Sequence, residues 1–118
     1  MKSKAMISGF WQSITFYCSK HPDEKLMLKQ GGYSTYYGCP HEYDETQPCH
    51  NRLNLIDAEK ALQHIMDILN QSLFDDQVFN MTNYTFTKNG VKYTIISHDT
   101  LTDKFEILVE NNKMMMNR

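Results

Sequence analysis

Asn54-Leu55-Ile56-Asp57-Ala58-Glu59-Lys60-Ala61-Leu62-Gln63-His64-Ile65-Met66-Asp67-Ile68-Leu69-Asn70-Gln71-Ser72-Leu73 is the stretch on which the fold turns. Leu55, Ala58, Leu62, Ile65, Met66, Leu69 and Leu73 return every three or four positions and so line one apolar stripe of an α-helix. Asn54 is a suitable N-cap, and Asp57, three positions on, can sit near the unpaired amides at the positive helix end. Everything on either side of this segment has a different period.

Downstream, Thr82 to Lys88 and Val91 to Ser97 flank Asn89-Gly90, a strong hairpin turn because both residues tolerate positive φ. A two-residue turn sets Lys88 against Val91, Phe86 against Tyr93 and Tyr84 against Ile95, which gathers the apolar residues on one face. Lys104 to Glu110 supplies a third strand, with Phe105, Ile107 and Val109 of one parity. Residues 98–103 serve as the connecting loop, with His98 a turn residue. Upstream, Ile14-Thr15-Phe16-Tyr17 reads as a short strand. Leu26 to Gln30 and Tyr33 to Tyr37 flank Gly31-Gly32 and read as a β-hairpin turned by the two glycines.

The three cysteines, Cys18, Cys39 and Cys49, all lie in the first 49 residues, close to His21, His41 and His50. Cys18 and His21 are separated by two residues, a spacing that lets both side chains turn to one tetrahedral ion. Cys39 leaves the hairpin and Cys49 precedes the helix, so Cys18, His21, Cys39 and Cys49 are the expected ligands of one closed site. Soft thiolates favour zinc. His41 or His50 could replace a member of the set, and His41 is the better substitute, since the adjacent Cys49 and His50 would seldom aim at one ion. Two readings compete: three unconnected buried thiols, and a Cys39–Cys49 disulfide or redox thiol. The first 50 residues have few large aliphatic side chains, so a bound ion, contributing on the order of 10 kcal/mol, would supply the missing folding free energy. Replacing Cys39 by Ser should then release the metal and loosen residues 14–52, while the helix and C-terminal sheet persist on a separate core.

The 118 residues fit one domain, or a small module joined to a larger one. With 41% hydrophobic and 22% charged residues, the chain can bury a modest core. No run nears the roughly 18 apolar residues of a membrane span. The start, Met1-Lys2-Ser3-Lys4-Ala5-Met6-Ile7-Ser8-Gly9, lacks the apolar stretch of a secretory signal. An odd cysteine count argues in the same direction, against a disulfide framework, and a cytoplasmic location is expected. The net charge of -2 is too near zero to mark a nucleic-acid binder, but it is unevenly spread: +3 over residues 1–40, -6 over 41–80 and +1 over 81–118. An acidic centre of this kind suits a basic protein partner.

Catalytic signatures are missing: there is no phosphate-binding glycine loop, no His-Glu-x-x-His and no glycine-flanked nucleophile. No catalytic residue is assigned, and a non-enzymatic protein is expected. The aromatic side chains before residue 52, among them Phe10, Trp11, Tyr33 and Tyr36, are interspersed with Lys20, Lys25, Lys29 and Arg52. Rings and cations so mixed are how single strands are held, which makes nucleic-acid binding the alternative.

The set Cys18, His21, Cys39 and Cys49 resembles the treble-clef and zinc-ribbon class of small zinc domains over about residues 14–66, although the wide Cys39–Cys49 gap departs from the usual short second pair. Tyr36-Tyr37-Gly38-Cys39-Pro40 with Cys49-His50-Asn51-Arg52-Leu53 is also similar to uncharacterised small proteins of phages and mobile elements in Gram-positive bacteria. The absent catalytic motifs, the closed metal site and the acidic centre suggest a protein-binding inhibitor or adaptor, encoded by a phage or mobile element, of a host complex such as a defence nucleoprotein. The expectation is therefore an α+β protein with a zinc-stapled N-terminal β-hairpin, one amphipathic helix and a three-stranded antiparallel C-terminal sheet. Residues 1–53 form the zinc-binding module, 54–113 the helix and sheet packed with it as one unit, and 114–118 a tail.

Overall fold

The computed structural model describes residues 13–31, 34–73 and 80–111. In chain order these form β1 (Ile14–Cys18), β2 (His21–Lys25), β3 (Met27–Gly31), β4 (Ser34–Gly38), β5 (Arg52–Asn54), α1 (Leu55–Leu73), β6 (Thr85–Lys88), β7 (Val91–Asp99) and β8 (Lys104–Asn111). The class is α+β, as the periodicities require. Among the described residues no helix is long and apolar enough to cross a membrane.

The helix begins where the capping chemistry places it. Asn54 Oδ1 accepts the Asp57 amide at 2.7 Å, and Ala58, Ala61, Leu62 and Ile65 along the stripe are fully buried. Asp57 is itself buried, with its carboxylate accepting from Asn89 Nδ2 at 2.8 Å, so the helix start is tied to the β6–β7 turn. That turn has Asn89 at φ 54° and Gly90 at φ 82°, the two positive values a type I′ hairpin needs. Lys88 pairs with Val91 and Phe86 with Tyr93, and the Ile95 amide donates to the Tyr84 carbonyl.

His98 is not a turn residue. The β7–β8 register shifts between Ile95 and Ser97, so Ile96 is bulged and the parity of β7 reverses beyond it. The bulge brings His98 into the interior, its ring 4.1 Å from that of Phe105. Its Nδ1 accepts the Met81 amide at 3.0 Å while its Nε2 meets Asp103 at 3.0 Å. The imidazole thus fastens the chain after the helix to the far end of β7.

The three C-terminal strands do not stand alone. β1 runs parallel to β8, with Phe16 beside Ile107 and Cys18 beside Val109, and β2 pairs antiparallel with β1. A five-stranded mixed sheet of order β2-β1-β8-β7-β6 results. Two strands some ninety positions apart leave no local trace of their pairing, so sequence periodicity could not show it. β2 contains Pro22, which an edge strand tolerates because one side of its backbone makes no ladder bonds.

The second sheet is antiparallel, order β3-β4-β5. Its hairpin pairs Gly31 with Ser34, so Gly31 ends β3 rather than forming part of the turn. This register aligns Leu28, Tyr37 and Leu53 across one face. Leu53 is fully buried there, and Tyr37 meets Phe16 edge-on at 5.3 Å. Leu26, whose amide donates to the Phe16 carbonyl at 2.8 Å, is the buried corner where the chain passes from the first sheet to the second. One apolar cluster includes Phe16, Cys18, Cys39, Leu53, Leu62, Ile95 and Ile107. The front and back of the chain therefore share a core, contrary to the separate cores expected above. Gly32 of the expected turn, Phe10, Trp11, Tyr33 and the tail from 114 lie outside the described residues.

Candidate metal centre

The junction of the two sheets is where the four expected ligands meet. Cys18 ends β1, His21 opens β2, Cys39 follows β4 and Cys49 lies just ahead of β5. Their ligand atoms, three Sγ and the His21 nitrogen, all lie within 4.8 Å of one another. Cys18 Sγ is 3.6 Å from Cys49 Sγ and 3.8 Å from His21 Nδ1, and Cys39 Sγ is 3.4 Å from the same nitrogen.

These separations can be tested against a known polyhedron. Zinc bonds of about 2.3 Å to sulfur and 2.0–2.1 Å to nitrogen, arranged as a tetrahedron, put sulfur atoms about 3.8 Å apart and sulfur and nitrogen about 3.6 Å apart. These three edges fall within a few tenths of an ångström of those values, and the remaining separations do not exceed 4.8 Å. All three cysteines are free, so the Cys39–Cys49 disulfide is not formed. The cluster could hold one metal ion, with His21 offering Nδ1.

The wide Cys39–Cys49 interval closes by backbone bonds. The Glu42 amide donates to the Cys39 carbonyl at 3.0 Å, and the Cys49 amide donates to the His41 carbonyl at 3.0 Å. The loop folds back on itself, and Cys49 arrives beside Cys39 despite nine intervening residues. A short second pair is unnecessary once the loop is laced in this way.

Each thiol also receives an amide two residues ahead of it. Lys20 donates to Cys18, His41 to Cys39 (3.4 Å) and Asn51 to Cys49. Asn51 Nδ2 adds a second donor to Cys18 at 3.1 Å. Donors aimed at sulfur favour thiolate over thiol, the form a metal requires. Burial pushes the Cys18 thiol up, but bonds from Asn51, His21 and Lys20 outweigh it and bring the group down to about 7. Burial wins at the other two, raising Cys39 to about 12 and Cys49 above its ordinary value. A divalent cation would reverse that balance by supplying the missing positive charge.

His41 and His50 are not in the cluster. His50 is exposed. His41 instead stacks on the His21 ring, centroids 4.2 Å apart, and is gripped by Asp44 at 2.8 Å and Glu24 at 3.2 Å. The two carboxylates raise its pKa, so the ring facing His21 is held in place from both sides. His64 lies against Phe86 with Nε2 3.2 Å from the Tyr84 hydroxyl, far along the helix face as a boundary residue.

Glu42 is the buried charge beside the cluster that sequence reasoning passed over. It belongs to the acidic centre that was read as facing a basic partner, yet its side chain is only 2% exposed. Lys29 Nζ donates to it at 2.8 Å, Arg52 forms a second ion pair, and the Tyr36 hydroxyl donates to both carboxylate oxygens. Lys29 also donates to the Cys39 carbonyl at 2.9 Å, which links this knot directly to the cluster. Gly38 makes room: a Cβ there would lie 3.0 Å from Tyr36 Cε2 and 3.2 Å from Glu42 Oε1. The nearest sequence clue was the loop's position between two ligand cysteines. No protein family, curated protein or solved structure matches this chain.

Proposed function

We propose that Cys18, His21, Cys39 and Cys49 hold one structural Zn2+, and that the protein is non-enzymatic and works by binding a protein partner. The observation that supports the metal assignment is the convergence of the four donor atoms within 4.8 Å of one another, each thiol already supplied with an amide. Four protein ligands leave no coordination position for water, and a closed site of this kind stabilises a fold without doing chemistry. The bound ion would brace the 39–49 loop, which exposes Tyr43, 77% accessible, beside the exposed acids Asp44 and Glu45. An aromatic side chain flanked by acids on a braced loop is suited to a basic patch on another protein. A role as phage or mobile-element inhibitor or adaptor belongs to the same proposal and rests on the closed metal site and the acidic loop beside it.

The nucleic-acid alternative loses much of its chemistry on this surface. Lys29 and Arg52 are spent on Glu42, while Phe16 and Tyr36 are buried. A single-stranded oligonucleotide titrated into the zinc-loaded protein at low salt is expected to show no binding. Binding that weakens steeply as salt rises would replace the protein-partner reading with the nucleic-acid one. In the same sample, thiol titration under native conditions should find the three cysteines unreactive until the metal is chelated. A fast-reacting thiol beside bound metal would argue for an enzyme or redox protein.

A further inference from the structure

Asn51 is buried to 2% exposure, and every polar group of its side chain is engaged. Nδ2 donates to Cys18 Sγ at 3.1 Å and to the Val109 carbonyl at 2.7 Å. Oδ1 accepts the Asn111 amide at 3.0 Å. The orientation is unambiguous, because a flipped amide would set its oxygen against the Val109 carbonyl and its NH2 against the Asn111 N–H. The backbone amide of Asn51 donates in addition to Cys49. One residue therefore bonds two of the three sulfur atoms and reaches two residues of β8.

We infer that Asn51 is the positioning residue of the metal centre: it tunes the Cys18 thiolate and fastens the cluster to the β1–β8 ladder, so that metal occupancy is transmitted to the five-stranded sheet. This rests on the proposed metal assignment. The location explains the geometry. Cys18 is paired with Val109 at the end of the parallel ladder, where the Ser19 amide also donates to the Val109 carbonyl at 3.1 Å. Asn51 arrives from the other sheet and spans sulfur and ladder with one planar amide. Leu could fill the space but would leave the Asn111 amide without its acceptor and take one of two donors from both the Cys18 sulfur and the Val109 carbonyl. Asp would keep the shape but set a carboxylate against a thiolate and a carbonyl. Outer partners of metal ligands of this kind typically change affinity about 10- to 100-fold when lost.

Two measurements test the inference. In the cadmium-113 form of the unmodified protein, one side-chain NH2 proton of Asn51 is expected to show a scalar coupling to the metal through the Cys18 sulfur. In the cobalt form, Asn51→Asp should move the sulfur-to-metal charge-transfer band to longer wavelength, since the thiolate loses a donor, and weaken metal binding at least tenfold. The same variant should lose amide protection at residues 105–111 with the metal present. A metal-loaded protein without the coupling, or a variant with an unshifted band and unchanged affinity, would overturn the role of Asn51 and leave the metal site standing. A wild-type chain that takes up neither cobalt nor cadmium would overturn both. The wild-type coupling does not depend on whether any variant folds.

Discussion

Cys39→Ser is expected to lose its zinc and, with it, the tertiary structure of both sheets. The argument starts at the free-energy scale. A domain of this size is stable by roughly 5–15 kcal/mol, and a structural zinc site contributes about 10–16 kcal/mol at neutral pH. Removing one of four ligands therefore removes a quantity comparable with the whole net stability. The loss spreads because Cys18 lies in β1, whose other side pairs with β8 across five residues. Phe16 and Cys18 also share a buried cluster with Leu62, Ile95 and Ile107. Released from the metal, β1 would retract from the edge of β8 and open that cluster to water. Near-ultraviolet circular dichroism should collapse, and amides of β7 and β8 should exchange freely even with zinc added in excess. Full zinc stoichiometry in the variant would remove Cys39 from the site. Persistent protection over residues 91–111 without metal would show instead that the C-terminal sheet is independent of the cluster.

Glu42→Ala should destabilise the protein by about 1–3 kcal/mol, because it leaves the Lys29 and Arg52 charges and the Tyr36 hydroxyl without their buried partner, while water reaches part of both cations. Glu42→Gln should fall between Ala and the natural residue. It keeps the shape and an acceptor for Tyr36, and surrenders the charge. The damage reaches the metal through Lys29, which bonds Glu42 and the Cys39 carbonyl together, so zinc affinity should fall alongside the melting temperature. The acid side of the stability profile follows from the same contacts. Burial alone would raise the Glu42 pKa, but the bonds from Lys29 and Tyr36 and the charges of Arg52 and Lys29 hold it below its ordinary 4.5. A carboxylate depressed in the folded state stabilises the protein fully above its unfolded value, and that stability drains away as pH falls below about 4.5 and through the folded pKa. Thermal melts of the natural protein and of Glu42→Gln from neutral pH downward should therefore converge in acid. Parallel curves at all pH values would show that the Glu42 charge does not contribute.

Local features were legible in the sequence wherever a residue type answers to its neighbours. Asn54 announced the helix start, Asn89-Gly90 the turn, and the parity of Phe105, Ile107 and Val109 the buried face of β8. The meeting of Cys18, His21, Cys39 and Cys49 was legible too, because few arrangements of thiols and imidazoles bring a Cys-x2-His pair, a strand end and a helix approach together. What escaped depends on pairings between distant segments. The parallel contact of β1 with β8 has no turn to betray it. The one-residue bulge at Ile96 reverses the parity that any alternation argument assumes, and so His98 was placed outside. Glu42 and Asn51 are polar residues in loops, and composition assigns such residues to water. Only the approach of Lys29, Arg52 and Val109 from other strands reveals that both are interior.

X-ray absorption at the zinc edge, on protein purified under reducing conditions without chelator, addresses the central claim most directly. The account predicts one zinc per chain, with three sulfur neighbours at about 2.3 Å and one nitrogen at about 2.0 Å. A chain that carries no metal, or one whose zinc is surrounded by oxygen and nitrogen, would contradict it.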